Sequence, residues 1–346
     1  MKKIAFLTTD LSDFGGTQTV VSRLSNAFVE KLGHKVYIYT LSQKNGKIKC
    51  DLNSNIVVIN LDINFHFRNY LKLIRKVNSI NKINKIDVIL GIGCFLNVFL
   101  PFFRRVKKVA CEHNSYDIVS SKTKFVRGLT YRFVDFIVSS TKEDLPRYLK
   151  INKNSITIHN PVLLSDSTYS FKRQNVVISV GTLTERKGMD RLLHVWKLVE
   201  EKEKNANLEI FGEGEEFEKL LELKLRLGII NVSFLGNTHS LDAELSHSKI
   251  YVLPSRKEGF PMVLLEAMNH YLPVVSFDIK TGPNEIITDG EDGYLIKDDD
   301  IGDMADKILR LLTENVLLEK MSKNAKKNVE RFSISNIIKL WERILQ

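Results

Sequence analysis

The sequence predicts an α/β protein with two domains, each built on a parallel sheet covered by helices. Short apolar strand patterns alternate with helical patterns, which is typical of βαβ units with right-handed crossovers and indicates Rossmann-like domains. This alternation occurs twice, with the polar run of residues 165–175 between the two series. A chain of 346 residues is also longer than one ordinary hydrophobic core requires. We therefore expect a first domain over residues 1–165 and a second over residues 176–329.

The composition is that of a globular protein, with 43% hydrophobic and 27% charged residues. Cys50, Cys94 and Cys111 have neither disulfide nor metal-ligand spacing, which favours reduced thiols in a cytosolic setting. The apolar run before Asp10 is too short for a signal peptide. The longest apolar window, residues 88–103, is interrupted by glycine, asparagine and proline, so we expect a buried strand and helix rather than a membrane span.

Charge is distributed unevenly along the chain. Residues 1–160 contain 26 Lys and Arg against 11 Asp and Glu, a net charge of +15, whereas the remainder carries −5. The basic residues cluster in residues 68–85, 104–108 and 122–132. This asymmetry favours a polyanionic partner or an anionic membrane surface, and a solvated basic face is the alternative. No interleaving of aromatic and basic residues supports nucleic-acid binding.

The first domain begins with a strand pattern over Ile4 to Thr8, the pair Gly15-Gly16 and a helical pattern over residues 19–31. A strand, a Gly-rich loop and a helix bring backbone amides close to a phosphate, and a turn that needs positive φ is the alternative explanation for the glycines. Further strands are predicted over residues 35–39, 56–60, 88–92, 108–111 and 136–139.

Ligands of such sheets bind at the carboxyl ends of the strands. His113, preceded by Glu112, follows the apolar run of residues 108–111 and is therefore expected at such an end. A purely structural histidine is the alternative. Glu112 is a lesser candidate for the same site.

The second domain begins with a strand over Val176 to Val180, followed by the stretch GTLTERKG that contains Arg186 and Lys187. Residues 189–202 then have helical periodicity. Basic side chains at the entry of a helix face the positive end of its dipole, which is unfavourable unless an anion lies between them and the helix. Simple exposed charges are the alternative.

The most informative stretch is YVLPSRKEGFPMVLLEAM, residues 251–268. The pattern predicts a buried strand closed by Pro254, a polar loop, and a helix with Pro261 at its first position. Glu258 falls in the loop and Glu266 one turn inside the helix, so both carboxylates can reach a ligand over the helix start, which is a site for anions. A buried Glu needs a partner such as ribose hydroxyls, and one tolerated Glu in an ordinary helix is the alternative.

These motifs resemble those of the retaining GT-B glycosyltransferases of family GT4. The string E-G-F-P-x-x-x-x-E resembles their Glu-x7-Glu element, and G-x-x-x-x-R-K-G resembles their diphosphate site. The resemblance covers essentially the whole chain and is strongest over residues 176–295. It implies a GT-B fold, in which two Rossmann-like domains face each other across a cleft. It also implies that a C-terminal helix, about residues 330–346, joins the first domain.

The resemblance also implies roles for individual residues. Gly15 and Gly16 would approach the donor diphosphate, and His113 would lie near the reacting sugar, although its neighbours depart from the commoner His-Asp form. The catalytic set would be His113, Arg186, Lys187 and Glu258, with the two cations stabilising the leaving diphosphate and Glu258 meeting the donor sugar. The remaining donor-binding residues would be Asn237 beside the nucleobase (with Thr238 a weaker candidate), Gly259 and Pro261, the N–H groups of Phe260, Met262 and Val263, and Glu266 on the ribose.

The implied activity is that of a retaining hexosyltransferase in bacterial capsule, O-antigen or lipopolysaccharide synthesis. It would move a sugar from a nucleotide-diphosphate sugar to a hydroxyl of a glycan or lipid-linked glycan. UDP-sugars are favoured as donors, and GDP-sugars are the alternative. No Asp-x-Asp pair or histidine cluster indicates a metal, and no cofactor is expected. We expect a cytoplasmic protein, peripheral on the inner face of the membrane. The alternatives are a GT-B epimerase or phosphorylase-like enzyme, and a non-catalytic sugar-nucleotide-binding subunit.

Overall fold

The computed structural model describes residues 1–12, 15–42, 48–64, 69–166, 173–238 and 240–346. It divides into two compact units. Unit 1 contains residues Met1–Leu163 together with Phe332–Gln346, and unit 2 contains residues Leu164–Arg331. The polar stretch 165–175, which the sequence predicts to be a linker, lies largely outside the described residues.

Each unit contains a parallel sheet. In the described part of unit 1 the strands are β1 (Lys3–Thr8), β2 (Lys35–Thr40), β3 (Val57–Asn60), β4 (Val88–Ile92), β5 (Lys107–Glu112), β6 (Phe136–Ser139) and β7 (Ser155–Thr157), in the order β3-β2-β1-β4-β5-β6-β7. In that of unit 2 they are β8 (Val176–Val180), β9 (Asn207–Phe211), β10 (Val232–Phe234), β11 (Ile250–Leu253), β12 (Val274–Asp278) and β13 (Gly293–Lys297), in the order β10-β9-β8-β11-β12-β13. Both orders are those of a Rossmann-like sheet, so the predicted fold class is confirmed for each unit.

Helices connect the strands. The α-helices are α1 (Gly16–Glu30), α2 (Tyr70–Asn84), α3 (Cys94–Asn97), α4 (Ser121–Thr130), α5 (Leu145–Leu149), α6 (Met189–Lys202), α7 (Phe217–Leu227), α8 (Leu241–His247), α9 (Met262–Asn269), α10 (Pro283–Ile286), α11 (Ile301–Thr313), α12 (Asn315–Val329) and α13 (Ile334–Leu345). Short 3-10 helices lie at Leu100–Phe102, Tyr131–Phe133, Glu185–Lys187 and Glu330–Phe332. No helix in the described ranges is long and apolar enough to cross a bilayer.

The last helix, α13, packs in unit 1. Its Trp341 is 2% exposed and lies edge-on to Phe28 of α1, with ring centroids 5.8 Å apart. The ammonium of Lys2 donates a hydrogen bond to the carbonyl oxygen of Leu345 at 2.6 Å. Burial of a side chain as large as tryptophan contributes several kcal/mol, so the chain's two ends stabilise one core.

One local prediction and one alternative explanation need correction. The sequence places Pro261 at the first helical position, whereas α9 begins at Met262 and Pro261 precedes it with extended backbone, φ −72° and ψ 99°. Positive φ was an alternative reason for the Gly15-Gly16 pair, but Gly15 is extended with φ −166°, and Gly16 is the first residue of α1. Neither glycine is therefore required by a left-handed backbone.

Candidate active site

Two loops of unit 2 contain most of the predicted donor-binding residues. Loop A, residues 181–188, follows β8, and loop B, residues 254–261, follows β11. These two strands are neighbours, with Ile178 of β8 paired to Tyr251 of β11. The strand that follows β8 in the chain lies on one side of this pair, and the strand that follows β11 lies on the other side. Open α/β sheets bind ligands at their carboxyl edge, at the point where the strand order reverses in this way.

Loop A ends in a 3-10 turn that presents two cations. The turn covers Glu185–Lys187, and Gly188 follows it in the left-handed region with φ +68°. A Cβ atom at Gly188 would lie 2.2 Å from the carbonyl oxygen of Pro254. Glycine is therefore required here both by the backbone conformation and by the close approach of loop B.

Glu258 of loop B receives both cations. The Lys187 ammonium lies 2.6 Å from its Oε1, and the Arg186 guanidinium lies 3.3 Å from its Oε2. The Ser255 hydroxyl also donates to Oε1 at 2.7 Å. Glu258 is only 6% exposed, whereas the Arg186 side chain is 43% exposed. One carboxylate facing two cations leaves an excess positive charge, open to solvent on the Arg186 side, which attracts an anion.

The backbone of loop B is fixed by the segment that precedes α10. The hydroxyl of Thr281 donates to the carbonyl oxygen of Glu258 at 2.6 Å. At Gly282, φ is +100° and a Cβ atom would lie 2.7 Å from the carbonyl oxygen of Gly259 and 2.6 Å from Cδ of Pro261. This close packing holds the residues that enter α9.

The start of α9 is the second half of this site. Phe260 and Met262 are buried and Val263 is half-buried. The first N–H groups of a helix have no partner within the helix, so those of Met262 and Val263 are suited to bind an anion. Glu266, one turn further on, is half-buried. Burial raises the pKa of the Tyr251 hydroxyl, and the charges of Glu258 and Glu266 act in the same direction, so both carboxylates influence this one phenol.

His113 belongs to unit 1, immediately after β5. Its Nδ1 lies 3.1 Å from Oδ1 of Asn160, while its Nε2 is buried and has no partner among the described residues. Burial lowers the pKa of His113 to about 4, although the hydrogen bond with Asn160 acts in the opposite direction. The ring is therefore neutral at pH 7. It can exchange a hydrogen bond with a substrate hydroxyl but does not supply a positive charge.

Glu112 does not share this position. Its carboxylate is buried and accepts hydrogen bonds from the hydroxyl of Tyr131 and from Nδ2 of Asn97, the latter at 2.7 Å. Tyr148 donates a third, at 3.4 Å. Burial raises the pKa of Glu112, and these hydrogen bonds oppose that increase. We infer that Glu112 supports the end of β5 from inside the unit.

The remaining predicted residues lie outside loop A and loop B. Gly15 and Gly16 form the start of α1 in unit 1, where the carbonyl oxygen of Gly15 accepts from the N–H of Thr19. Residues 13 and 14 lie outside the described ranges. Asn237 is exposed after β10, and Thr238 is half-buried with its hydroxyl accepting from the N–H of Ser240. Of the predicted site residues, Arg186, Lys187 and Glu258 are therefore the three that form one group of ion pairs.

A group of potential metal ligands lies elsewhere in unit 2, on β9 and α8. Nε2 of His247 is 3.2 Å from Glu209 and its Nδ1 is 3.6 Å from Glu244. Candidate ligand atoms of the three residues all lie within 4.8 Å of one another. Sequence spacing does not reveal this group, because its members come from separate elements. None of them belongs to loop A or loop B.

Sequence reasoning also missed residues that support loop A, loop B and His113. Ser255 and Thr281 hold Glu258, Asn160 holds His113, and Asp190 and Arg256 pair across the loops. Sequence spacing does not reveal most of these contacts, because their partners are distant in the chain, whereas Ser255 lies only three residues from Glu258.

Comparisons with known proteins agree with this architecture. Residues 164–328 match the family model described as "Glycosyl transferases group 1". A glycosyltransferase of Haemophilus influenzae is 29% identical, and the amylovoran biosynthesis glycosyltransferase AmsD of Erwinia amylovora is 28% identical. Each match covers 100% of both chains.

Among solved structures, a variant of S. aureus TarM in complex with fondaparinux, α-GlcNAc-glycerol and UDP has a TM-score of 0.85. That match covers 100% of both chains at 17% identity and supports the fold. The class defined by the fold and these relatives is a glycosyltransferase with the GT-B fold. The predicted resemblance to GT4 glycosyltransferases is confirmed. None of these three relatives is described as an epimerase, a phosphorylase or a non-catalytic subunit.

Proposed function

We propose that the protein is a retaining, metal-independent glycosyltransferase that uses a nucleoside-diphosphate sugar, with UDP as the favoured nucleotide. The observation that carries this proposal is the convergence of Arg186 and Lys187 on Glu258 beside the start of α9. Two cations and free helix N–H groups suit the two phosphates of such a donor. UDP is favoured because the TarM variant of similar fold was solved with UDP.

In the proposed reaction the bond between the anomeric carbon and the diphosphate oxygen breaks, and the acceptor oxygen bonds to the same face of that carbon. The electron pair of the broken bond goes to the diphosphate, where Arg186 and Lys187 stabilise the growing negative charge. The acceptor's proton goes to the leaving phosphate oxygen. Glu258 orients the donor sugar and Glu266 binds the ribose. Neutral His113 exchanges a hydrogen bond with a sugar hydroxyl through Nε2.

The proposed acceptor is a hydroxyl of a glycan or lipid-linked glycan in the synthesis of a bacterial surface polysaccharide. The relative AmsD, whose sequence aligns over its full length, is described as an amylovoran biosynthesis glycosyltransferase. A lipid-linked acceptor is anchored in a membrane, so a peripheral location is part of the same proposal.

The surface of unit 1 supports a peripheral location at the inner face of the membrane. Helices α3 and α4 pack beside each other. These helices and the 3-10 helices that follow them expose large apolar side chains, namely Phe95, Phe102, Phe125, Val126, Leu129 and Phe133. Exposed basic residues lie among them in the chain, namely Arg104, Arg105, Lys122 and Arg132. Apolar and basic side chains together suit an anionic bilayer, where each cation contributes about 1 kcal/mol.

A donor screen tests the nucleotide. UDP-, GDP- and ADP-sugars are added to the purified protein, and the melting temperature is recorded. A ligand at about 100 times its Kd stabilises the folded state by about 2.7 kcal/mol. We expect UDP-sugars to raise the melting temperature most. If none of these nucleotides binds, the proposed function is wrong.

Product analysis tests the mechanism. NMR of the product formed from an α-linked donor should show an α-linkage, and activity should persist in EDTA. An inverted linkage contradicts the retaining mechanism. Loss of activity in EDTA that Mg²⁺ or Mn²⁺ restores contradicts metal independence.

Vesicle sedimentation tests the membrane surface. At low salt the protein should bind vesicles that contain phosphatidylglycerol and not vesicles of phosphatidylcholine alone, because the attraction is electrostatic. Phe125→Ser should reduce this binding. The matched control is Leu225→Ser on α7 of unit 2, since Leu225 is 79% exposed and lies outside the proposed surface. Equal effects of the two substitutions would refute this surface.

A further inference from the structure

Three residues outside the predicted donor site hold loop A and loop B together. Asp190 and Arg191 lie in the first turn of α6, directly after loop A, and Arg256 lies in loop B. The first two follow the G-x-x-x-x-R-K-G string, and Arg256 precedes the Glu-x7-Glu element, so neither motif includes any of the three.

Arg256 and Asp190 form a bidentate ion pair. Nη1 of Arg256 lies 2.7 Å from Oδ1 of Asp190, and Nη2 lies 2.6 Å from Oδ2. Nη1 also donates to the carbonyl oxygen of Glu185 at 2.8 Å, while the backbone N–H of Arg256 donates to the carbonyl oxygen of Arg186, also at 2.8 Å. Burial acts to raise the pKa of Asp190, but the pairing with Arg256 outweighs it and leaves the pKa below its ordinary value.

Arg191 also binds loop B, and it is buried, with 5% of its surface exposed. Its Nη2 donates to the carbonyl oxygens of Pro254 and Ser255 at 2.7 and 2.8 Å. Its Nε also donates to Pro254, at 3.2 Å, and Nη1 pairs with Asp298 at 2.7 Å. The guanidinium lies over the ring of Phe277, 4.1 Å from its centroid. Arg191 thus donates hydrogen bonds to two carbonyl groups that lie directly after the end of β11.

These contacts hold the backbone of both loop A and loop B. Arg256 fixes the carbonyls of Glu185 and Arg186, and Arg191 fixes those of Pro254 and Ser255. In return, Arg186 donates to the carbonyl oxygen of Lys257 at 3.1 Å. The pair Asp190–Arg256 and the buried Arg191 therefore set the separation between the cations of loop A and the backbone of loop B.

We propose that Asp190, Arg191 and Arg256 form a latch that positions loop A and loop B for the donor diphosphate. They are positioning residues, since their contacts are with the two loops. The latch rests on the proposed function, in which Arg186 and Lys187 bind that diphosphate. Loops that are already held in their binding geometry lose less conformational freedom when the ligand binds, so the latch increases the affinity of loop A and loop B for the phosphates.

The test measures UDP affinity by titration calorimetry for the wild type and for Asp190→Asn, Arg256→Gln and the double variant. Each single substitution should weaken UDP binding about 10-fold, equivalent to about 1.4 kcal/mol. The double variant should be no weaker than either single one, because both break the same ion pair. Binding of uridine, which has no phosphate, should remain unchanged when followed by NMR.

The matched control is Glu314→Gln in the same unit, which breaks the exposed pair of Arg310 on α11 and Glu314, the residue that follows this helix. It should leave the UDP affinity unchanged. Hydrogen exchange of the unliganded protein is a second readout, in which the amides of residues 255–260 should exchange faster in Asp190→Asn than in Glu314→Gln. Arg256→Lys keeps the charge but loses the bidentate geometry, and it replaces Asp190→Asn if that variant does not fold.

The outcomes are distinguishable. The latch is supported if the Asp190→Asn and Arg256→Gln variants bind UDP more weakly than the wild type but bind uridine as the wild type does. If the wild type and the Asp190→Asn and Arg256→Gln variants bind UDP equally tightly, the latch is refuted and the proposed function is unaffected. Equal losses for UDP and uridine also refute it, because they indicate general damage to unit 2. A wild type that binds none of UDP, GDP and ADP refutes the proposed function and the latch together.

Discussion

Lys187 and Glu258 are 71 positions apart in the chain, and their side chains form an ion pair of 2.6 Å. The Glu258 side chain is 7% exposed, and the Lys187 side chain is 15% exposed. Water screens this pair little, so the Coulomb attraction within it exceeds that in a surface salt bridge. Removing either partner leaves the other charge uncompensated. The same ammonium is the one proposed to bind the donor diphosphate, so Glu258 and the phosphates compete for it.

Substitution of Lys187 tests its role in charge stabilisation. Lys187→Ala should lower kcat/KM about 10²- to 10³-fold, because it removes one of two cations that face the leaving diphosphate. Lys197→Ala is the control, since Lys197 lies in α6 and pairs with Glu201 at the surface. Steady-state kinetics and circular dichroism of the two variants make the comparison. Comparable activity in both would exclude Lys187 from the site.

Glu258→Gln should separate binding from transfer. The substitution keeps the side-chain shape but removes the negative charge that neutralises Arg186 and Lys187. We therefore expect UDP to bind up to about 10-fold more tightly at low salt, whereas sugar transfer should fall by at least about 10-fold. Calorimetry at two salt concentrations and a transfer assay measure the two effects. Weaker UDP binding would show that Glu258 does not compete with the phosphates.

The depressed pKa of His113 predicts a pH dependence of stability. The folded protein resists protonation of this ring until about pH 4, whereas the unfolded chain binds the proton near pH 6.5. Stability from this group is therefore complete above about pH 6.5 and is lost as the pH falls towards 4, by up to about 3 kcal/mol.

The measurement for His113 compares urea unfolding of the wild type and of His113→Gln between pH 4 and 7. The wild type should lose more stability over this window than the variant. Parallel curves for the two proteins would mean that His113 titrates normally. NMR titration of the imidazole provides an independent check, with the ring expected to remain neutral above pH 5.

Trp341 predicts the role of the last helix in stability. Trp341→Ala should lower the free energy of unfolding of unit 1 by about 3–5 kcal/mol, because it removes a buried aromatic ring that packs on Phe28. Leu340→Ala is the matched control, since Leu340 is the preceding residue and is exposed. Urea denaturation followed by circular dichroism compares them. Similar small losses in both variants would contradict the role of α13 in the unit 1 core.

Patterns of apolar residues allowed the sheet class and the main elements to be predicted. Strands such as β1 and β8 are short continuous apolar runs, and helices such as α6 and α13 have an apolar face at helical spacing, so local periodicity identifies them. Loop A and loop B were also found from the sequence, since their Gly, Arg, Lys and Glu residues are unusual next to buried strands. The extended backbone of Gly15 could not be predicted, because its composition is equally compatible with a left-handed turn.

The sequence by itself determined which residue types stand at the ends of β8 and β11, and hence that an anion site was to be expected there. Only the tertiary structure decided which side chains meet. Arg186 and Lys187 contact Glu258, Asp190 pairs with Arg256, and Glu112 is enclosed by Tyr131 and Tyr148. The physical reason is that parallel strands bring distant loops to one edge of a sheet. Sequence spacing carries no information about the distance between two such loops.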